Sequence, residues 1–385
     1  MALDKAVDSA QLNADLTAVA DAIRTKGGTS AQLAFPDGFV SAVQAIQTGT
    51  ELQIIVTVKS GATVTATKGS LSVSGTSVNG TCTLTVPGTG TWSVSATLGG
   101  QMSDTKTVSI TDSYEVTLSF VSSTLNNNEW SVIKSVSDAG QGANYWSIGD
   151  RKAVTLNGTV GKLSLSNVTT YAFIIGFNHN ASVEGANRIH FQLAKTALSG
   201  GTDVCFCDNQ YGPDSGWSSP GAGYFVMNAS NTNSGGWKSS QMRTNICGTS
   251  LSSYSGTIIA VIPAALRAVL KSVTKYTDNT GGGSTAASAV TATTDYFFLL
   301  SEYEVFGTIS YANSNESSKQ AQYAYYSAGN SKIKYKHNGT STAARWWLRS
   351  PRASSSGIFV FVGTGGSDYH DYASYSIGFA PGFCV

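Results

Sequence analysis

Ala344-Arg345-Trp346-Trp347-Leu348-Arg349-Ser350-Pro351 and Gly378-Phe379-Ala380-Pro381-Gly382-Phe383-Cys384-Val385 are two rigid, aromatic stretches that enclose a segment of different composition. From Ser354 to Ser376, 13 of 23 residues are Ser, Gly or Tyr, joined by Asp368, His370 and Asp371. Tyrosine offers stiff, amphipathic contact area at low entropic cost, and Ser and Gly adapt around it, so this mixture suits a binding surface. An ordinary exposed loop with two strands would read similarly, because Ser, Gly and Tyr are abundant throughout the chain.

A length of 385 residues suggests two or three domains at about 150 residues each. The formal charge is +1 from 24 basic and 23 acidic residues, and 12% of residues are charged. No global field recruits nucleic acid or an anionic membrane, so partners must be recognised by shape and local polarity. Met1 to Ser9 lacks the apolar core of a signal peptide, and no run approaches the about 20 apolar residues of a membrane span. Cytoplasmic synthesis without membrane insertion is expected. Cys82, Cys205, Cys207, Cys247 and Cys384 form an odd, irregular set that fits reduced thiols better than a disulfide framework. Cys205 and Cys207 are the one close pair, and without a second pair or matched histidines they are expected to be buried thiols and not a zinc site.

Three regions follow from the patterning. In residues 1–50, Leu12, Leu16, Val19 and Ile23 paint one stripe on a helix ended by Gly27-Gly28. A second helix is expected near Asp37 to Gln47, with Pro36 at its start and Phe39, Val43 and Ile46 on one face. In residues 51–112 the apolar period becomes two, through Leu52 to Val58, Leu71 and Val73, Cys82 to Val86, Trp92 to Ala96, and Val108 and Ile110. Turn signals at Ser60-Gly61, Asn79-Gly80, Pro87-Gly88 and Gly99-Gly100 separate these strands. That pattern predicts a small all-β, immunoglobulin-like sandwich with Trp92 in its core, serving as a spacer. Residues 113–385 read as α+β, with strands at 114–120, 171–177, 296–300 and 358–362, a helix over Pro263 to Leu270, and a flexible excursion over Thr277 to Thr294.

Trp346 to Pro351 and Gly378 to Val385 resemble the ends of the variable region in target proteins of diversity-generating retroelements. Trp146-Ser147-Ile148-Gly149-Asp150, Ile174 to Asn180, Gly235-Gly236-Trp237-Lys238 and Leu299 to Gly307 resemble framework phrases of the same family, in the same order. The resemblance implies a C-type-lectin-like domain of the formylglycine-generating-enzyme kind over about residues 113–385, with a variable segment at about 354–377. Ala22 to Ser30 followed by Phe35 to Phe39 resembles a segment found near the start of tail and baseplate proteins of phages of Gram-positive bacteria. Carried onto this chain, the family's alternation makes Phe359, Val362, Gly366, Ala373 and Gly378 scaffold. Ile358, Phe361, Gly363, Thr364, Tyr369, His370, Asp371, Tyr372 and Tyr375 then face outward to bind ligand. Period two supports this only in part, because Ile358, Val360 and Val362 share one side of a strand and Phe359, Phe361 and Gly363 the other. Substitution at the template adenines of an Asn codon cannot produce Lys, Glu, Gln, Met or Trp, and Ser354 to Gly378 contains none of them.

Enzymatic signatures are mostly missing: there is no G-x-S-x-G turn, phosphate loop or H-E-x-x-H. Glu302 and Glu304 are a candidate pair for acid/base work on sugar. In so apolar a segment, carboxylates more often make structural hydrogen bonds. His179 and His190, with Asp150 as a third group, are candidate metal ligands better read as satisfied polar residues. No position matches the copper-holding cysteines of formylglycine-generating enzymes, and calcium ligands are not clustered in the terminal segment. No cofactor or metal is expected. Lys332, Lys334 and Lys336 read as one solvated strand face, and Arg349 as a buried hydrogen-bond anchor beside the basic Arg345 and Arg352.

The chain is therefore expected to be a tail-tip receptor-binding protein of a phage or prophage, resident in the virion tail. It would recognise a bacterial surface protein or glycan through Tyr369, Tyr372, Tyr375 and Phe361, with His370 and Asp371 setting polarity. A homotrimer is expected, docked to other tail or baseplate proteins through its N-terminal segment. The alternatives are a glycan-degrading tail enzyme using Glu302 and Glu304, and a bacterial surface adhesin.

Overall fold

Alternating burial builds the N-terminal strands, and a computed structural model places them. It describes residues 8–27, 31–45, 51–99, 101–212 and 219–385. The chain is of mixed α and β type and divides into two units, one of Met1–Val94 with Thr107–Thr117, the other of Ser95–Lys106 with Leu118–Val385. Among the described residues no helix is long and apolar enough to cross a membrane.

In the first unit, helices Ser9–Gly27 and Asp37–Ala45 meet through Ala20, Ile23 and Phe39, with Leu16, Leu33 and Ala42 against them. Asp8 caps the first helix by accepting from the backbone N–H groups of Ala10 and Gln11 at 3.0 and 3.2 Å. The expected stripe is split: Leu16 and Ile23 turn inward, whereas Leu12 and Val19 are 47% and 49% exposed. Val43 is likewise exposed, unlike its helix neighbour Phe39. Ile46 and Gly28 lie outside the described residues.

Strands Thr81–Thr85, Gln53–Thr57 and Tyr114–Thr117 form one sheet in that order. The other runs Leu71–Thr76, Thr63–Lys68, Gly90–Leu98, with Lys106–Ile110 also pairing Gly90–Leu98. Ile54, Val56, Val64, Ala66, Leu84, Trp92, Val94 and Ile110 are buried. Thr63–Lys68 is a strand the sequence reading passed over. Tyr114–Thr117 runs parallel beside Gln53–Thr57, with Ile54 opposite Tyr114, so this strand completes the N-terminal sheet. Asn79 and Gly80 both take positive φ, 52° and 87°, as a two-residue hairpin turn of the primed type requires.

In the second unit an antiparallel five-stranded sheet runs Phe297–Phe298, Gly382–Cys384, Ile189–Lys195, Leu163–Phe177, Arg151–Val160. The closing strand Gly382–Cys384 is thus held on both sides. Phe383 stacks on Phe191 with centroids 5.2 Å apart and meets Phe297 and Trp130 edgewise or tilted. Gly382 is required there, since a Cβ would come within 2.7 Å of the Phe298 ring. A second, three-stranded sheet of Trp346–Pro351, Ile358–Val362 and Asp368–Tyr372 carries the terminal segment.

The excursion expected over Thr277 to Thr294 is instead largely ordered. Val273–Asp278 pairs with Val290–Asp295 in register from Val273 opposite Asp295 to Asp278 opposite Val290. Thr277, Asp278 and Thr293 are buried with partners: Thr277 Oγ1 accepts from Arg349, Asp278 accepts from the Asn313 amide, and Thr293 Oγ1 donates to Asp295. The expected helix over Pro263 to Leu270 shortens to Ala264–Arg267. All five cysteines are unbridged and buried, with the Cys205 and Cys207 sulfurs 3.9 Å apart.

Candidate binding surface

Strand Trp346–Pro351 is buried at all six positions, and it fixes everything that follows it. The Trp347 indole N–H donates to the Phe225 carbonyl at 3.0 Å, and that of Trp346 to the Lys332 carbonyl at 2.9 Å. The next strand, Ile358–Val362, is buried from Phe359 to Val362 on both its faces. Only the third strand, Asp368–Tyr372, has no buried residue. Its register places Tyr369 opposite Phe361, Asp371 opposite Phe359 and Tyr372 opposite Ile358.

The residues expected to face outward divide accordingly. Tyr369 and Tyr372 are 54% and 45% exposed, Thr364 is exposed, and Ile358, His370, Asp371 and Tyr375 are half-buried. Two are corrected: Phe361 is buried against Trp347, Tyr369 and the Arg345 guanidinium, and Gly363 is buried against one edge of the Tyr369 ring. The cause is that the middle strand is covered on both faces, so alternation alone cannot bring Phe361 to solvent. Of the expected scaffold, Phe359, Val362, Ala373 and Gly378 are buried and Gly366 is half-buried. At Gly378 a Cβ would come within 2.4 Å of the Cys205 sulfur and 2.5 Å of the Arg345 carbonyl oxygen.

The hairpin's base is gripped from outside the terminal segment. Asn233 is fully buried; its amide donates to the carbonyls of Ser355 at 2.7 Å and Ile358 at 2.9 Å, its own N–H donates to Ser356 O at 2.8 Å, and its side-chain oxygen accepts from Gly282 N at 2.8 Å. Asp208 accepts from Ser376 Oγ at 2.8 Å and from Phe225 N at 2.6 Å, and Asn228 N donates to Ala373 O at 3.0 Å. Sequence reasoning missed these residues, since a single buried Asn or Asp in a polar loop carries no periodic signal.

On the strand's outer faces, the His370 ring meets Tyr311 edge-on at 4.6 Å, and Tyr372 meets Tyr375 at 5.6 Å. Burial, and then the nearby Arg352, hold His370 below the usual imidazole range. Burial raises the Asp371 carboxyl, with Arg345 and His370 pulling the other way. A concavity of about 420 Å³ opens beside the strand, with Arg345, Phe361 and Tyr369 among its lining residues.

Beneath the surface lies a buried ionic network. Glu304 receives both terminal nitrogens of Arg349, with Nη2 at 2.8 Å from Oε1. Arg349 also donates from Nε to Thr277 Oγ1 at 2.7 Å and from Nη1 to the Leu299 carbonyl at 2.8 Å. The Lys275 ammonium donates to Glu184 at 2.7 Å, Glu304 at 2.9 Å and the Tyr323 hydroxyl at 2.7 Å, which uses its three protons. Ser301 and Glu304 form a capping box at the start of helix Glu302–Phe306. Glu302 accepts from the backbone N–H groups of Ser310, Tyr311 and Ala312, so both carboxylates are fully buried and committed to structure. This geometry offers neither carboxylate to a sugar.

His179, Glu184 and Glu304 lie close enough to share a cation, but Lys275 already bridges the two carboxylates. Asp150 is elsewhere, accepting from Ser147 N. The expectation that both histidines are satisfied is corrected: His190 Nδ1 contacts the Tyr323 hydroxyl at 3.1 Å, yet the Nε2 atoms of His179 and His190 are buried without a hydrogen bond, that of His179 lying 3.6 Å from Glu184 Oε1. His179 lies flat on the Tyr323 ring at 3.7 Å. The solvated lysine face is corrected too. Lys334 is buried, its ammonium 5.3 Å from the Phe173 ring centre and 5.1 Å from that of Trp346.

Burial, reinforced by Lys275, pushes His179 from 6.5 down to about 3 and His190 well below 6.5. Burial raises Glu184 and Glu316, the latter from 4.5 to about 7. Burial alone would raise Glu304 as well, but Arg349 and Lys275 outweigh it and hold that carboxyl well below 4.5. The other charged group facing the histidines is Arg188, near His190.

As pH falls below 6.5 the unfolded chain takes up protons that folded His179 and His190 refuse, which costs stability. Between pH 7 and 4.5 the folded Glu184 and Glu316 take up protons that the unfolded chain does not, which adds it. Unfolding free energy in urea should therefore change little from pH 7 to 4.5. Below 4.5, where Glu304 joins the two histidines, it should fall by about 1.4 kcal/mol per pH unit for each group. A steady decline starting at pH 7 would contradict this assignment. Glu304→Gln should cost about 3–5 kcal/mol at pH 7, since it leaves cationic partners buried without their anion; a loss below about 1 kcal/mol would show the pair to be dispensable.

A family model described as a domain of unknown function, DUF6273, matches residues 224–385. That stretch holds Asn233, Lys275, Glu304, Arg349 and the terminal hairpin, but not His179, Glu184 or His190. No curated protein and no solved structure matches the chain.

Proposed function

We propose that this chain is a receptor-binding protein at the tip of a phage or prophage tail. A C-type-lectin-like head, corresponding to the second unit, presents the hairpin of residues 354–377 to a bacterial surface ligand. The immunoglobulin-like sandwich is a spacer, and the helical pair attaches the protein to its assembly. The observation that carries this reading is the contrast within one three-stranded sheet. Trp346–Pro351 is wholly buried, while two strands away Tyr369 and Tyr372 expose about half their surface. Exposed tyrosines on a fixed base are the usual anchors of a noncovalent interface.

Two half-exposed tyrosines make a small anchor beside the roughly 800 Å² per partner of a standard interface, so several copies per particle would strengthen weak single contacts. Exposure of Leu12, Val19, Val40 and Val43 on the helical pair supports self-association through these helices, and the proposed assembly is a trimer. The enzyme reading loses support from the burial of Glu302 and Glu304.

Exchanging residues 354–377 between sibling proteins should transfer cell-binding preference, and Tyr369→Ala with Tyr372→Ala should weaken cell binding at least about 10-fold at unchanged melting temperature. Retention of the original preference after exchange would place the contacts elsewhere in the head. Light scattering should give about three times the 40.1 kDa chain mass, reduced by Leu12→Ser with Val19→Ser. A monomeric wild type would remove the trimer.

A further inference from the structure

The concavity beside the hairpin has a chemistry more specific than a general contact patch. Its volume of about 420 Å³ falls within the roughly 300–1,000 Å³ of small-ligand sites. Phe361 forms its floor, 4% exposed, and Tyr369 stacks on that ring at 6.1 Å and 20°. Gly363 lies against one edge of the Tyr369 ring, where a Cβ would come to 2.8 Å from Cδ2 and 3.1 Å from Cε2. Phe361 on one side and Gly363 at one edge hold the Tyr369 ring, which stays 54% exposed. The result is a flat, half-exposed plate held in the wall of the cavity, its ring available for stacking.

Around this plate the rim is polar and electrically balanced. Arg345 and Asp371 place one positive and one negative group on it, close enough that the guanidinium acts on the carboxyl. Thr364 and Ser367 add hydroxyls. An anionic ligand would meet Asp371 and a cationic one Arg345. A hydrophobic peptide side chain would find one exposed ring above the nearly buried Phe361 and no enclosing apolar wall. A neutral ring with one face of C–H groups and an equator of hydroxyls fits both parts: polarised C–H groups lie on the tyrosine face, and hydroxyls donate to Asp371 and accept from Arg345.

We propose that this concavity is a saccharide site, in which Tyr369 stacks on the C–H face of an uncharged pyranose while Asp371 and Arg345 hold its hydroxyls. The proposal rests on the surface-recognition reading above and narrows its receptor to a neutral glycan.

Ligand-detected saturation-transfer NMR on the full chain, with cellobiose and N,N′-diacetylchitobiose as uncharged probes, tests it. Saturation should reach the ring C–H protons of at least one disaccharide. Tyr369→Ala should weaken binding about 10-fold, and Tyr369→Phe, which keeps the plate without its hydroxyl, should retain it. No transfer to either disaccharide, or transfer undiminished in a folded Tyr369→Ala protein, overturns the site. Cells treated separately with periodate and with protease distinguish this failure from failure of the underlying reading. Hairpin-dependent cell binding that survives periodate but not protease keeps the recognition role and ends the saccharide proposal. Cell binding independent of the hairpin, alongside Tyr369-dependent disaccharide binding, keeps the site and ends the recognition role.

Discussion

A guanidinium and a carboxylate sealed from water, Arg349 and Glu304, are the constraint on which the second unit depends. Taking two charges out of water is expensive, and the cost is recovered only if geometry and every further hydrogen bond are in place. Here the requirement draws in four elements: the strand carrying Arg349, the short helix carrying Glu304, the Val273–Asp278 strand with Lys275 and Thr277, and Glu184 at the end of its own helical turn. An apolar core tolerates some slippage of its parts. A bidentate pair with a shared ammonium does not, so the network fixes register where packing alone would leave choices.

That fixed register has its value one strand beyond. Strand Trp346–Pro351 is locked below by Arg349 and at its other end by two indole hydrogen bonds, so the sheet it opens is stiff from the first strand. Burial decreases across the sheet, from complete in the first strand to none complete in the third. Aromatic residues thereby change role along a few residues of chain: Phe359 and Phe361 are structural, and Tyr369 and Tyr372 are available to a partner. On the recognition reading, a rigid base limits the entropy lost on binding to the few exposed side chains.

How much of this was legible in the sequence varied with how local the cause was. The N-terminal strands showed themselves through period two, and Trp92 in the core followed from it. Asn79-Gly80 declared a turn because only such residues accept two positive φ values in succession. Phe361 was misread because a strand covered on both faces has no polar alternation to reveal its orientation. The 273–295 hairpin was hidden by composition, although Val273, Lys275 and Thr277 are buried at period two, because Lys275 and Thr277 are covered by partners far away in sequence. Lys275 and Glu184, 91 positions apart, and the buried Lys334 left no local trace: a charged residue signals solvent until the fold supplies its counterion or its aromatic neighbours.

Asn233 introduces a different kind of constraint. The oxygens it grips, those of Ser355 and Ile358, are peptide oxygens that every amino acid possesses, and Asn228 holds Ala373 in the same way. Such a clasp is indifferent to the lettering of the chain that passes through it. Side chains in the exposed strand can change while these bonds to the backbone stay in place.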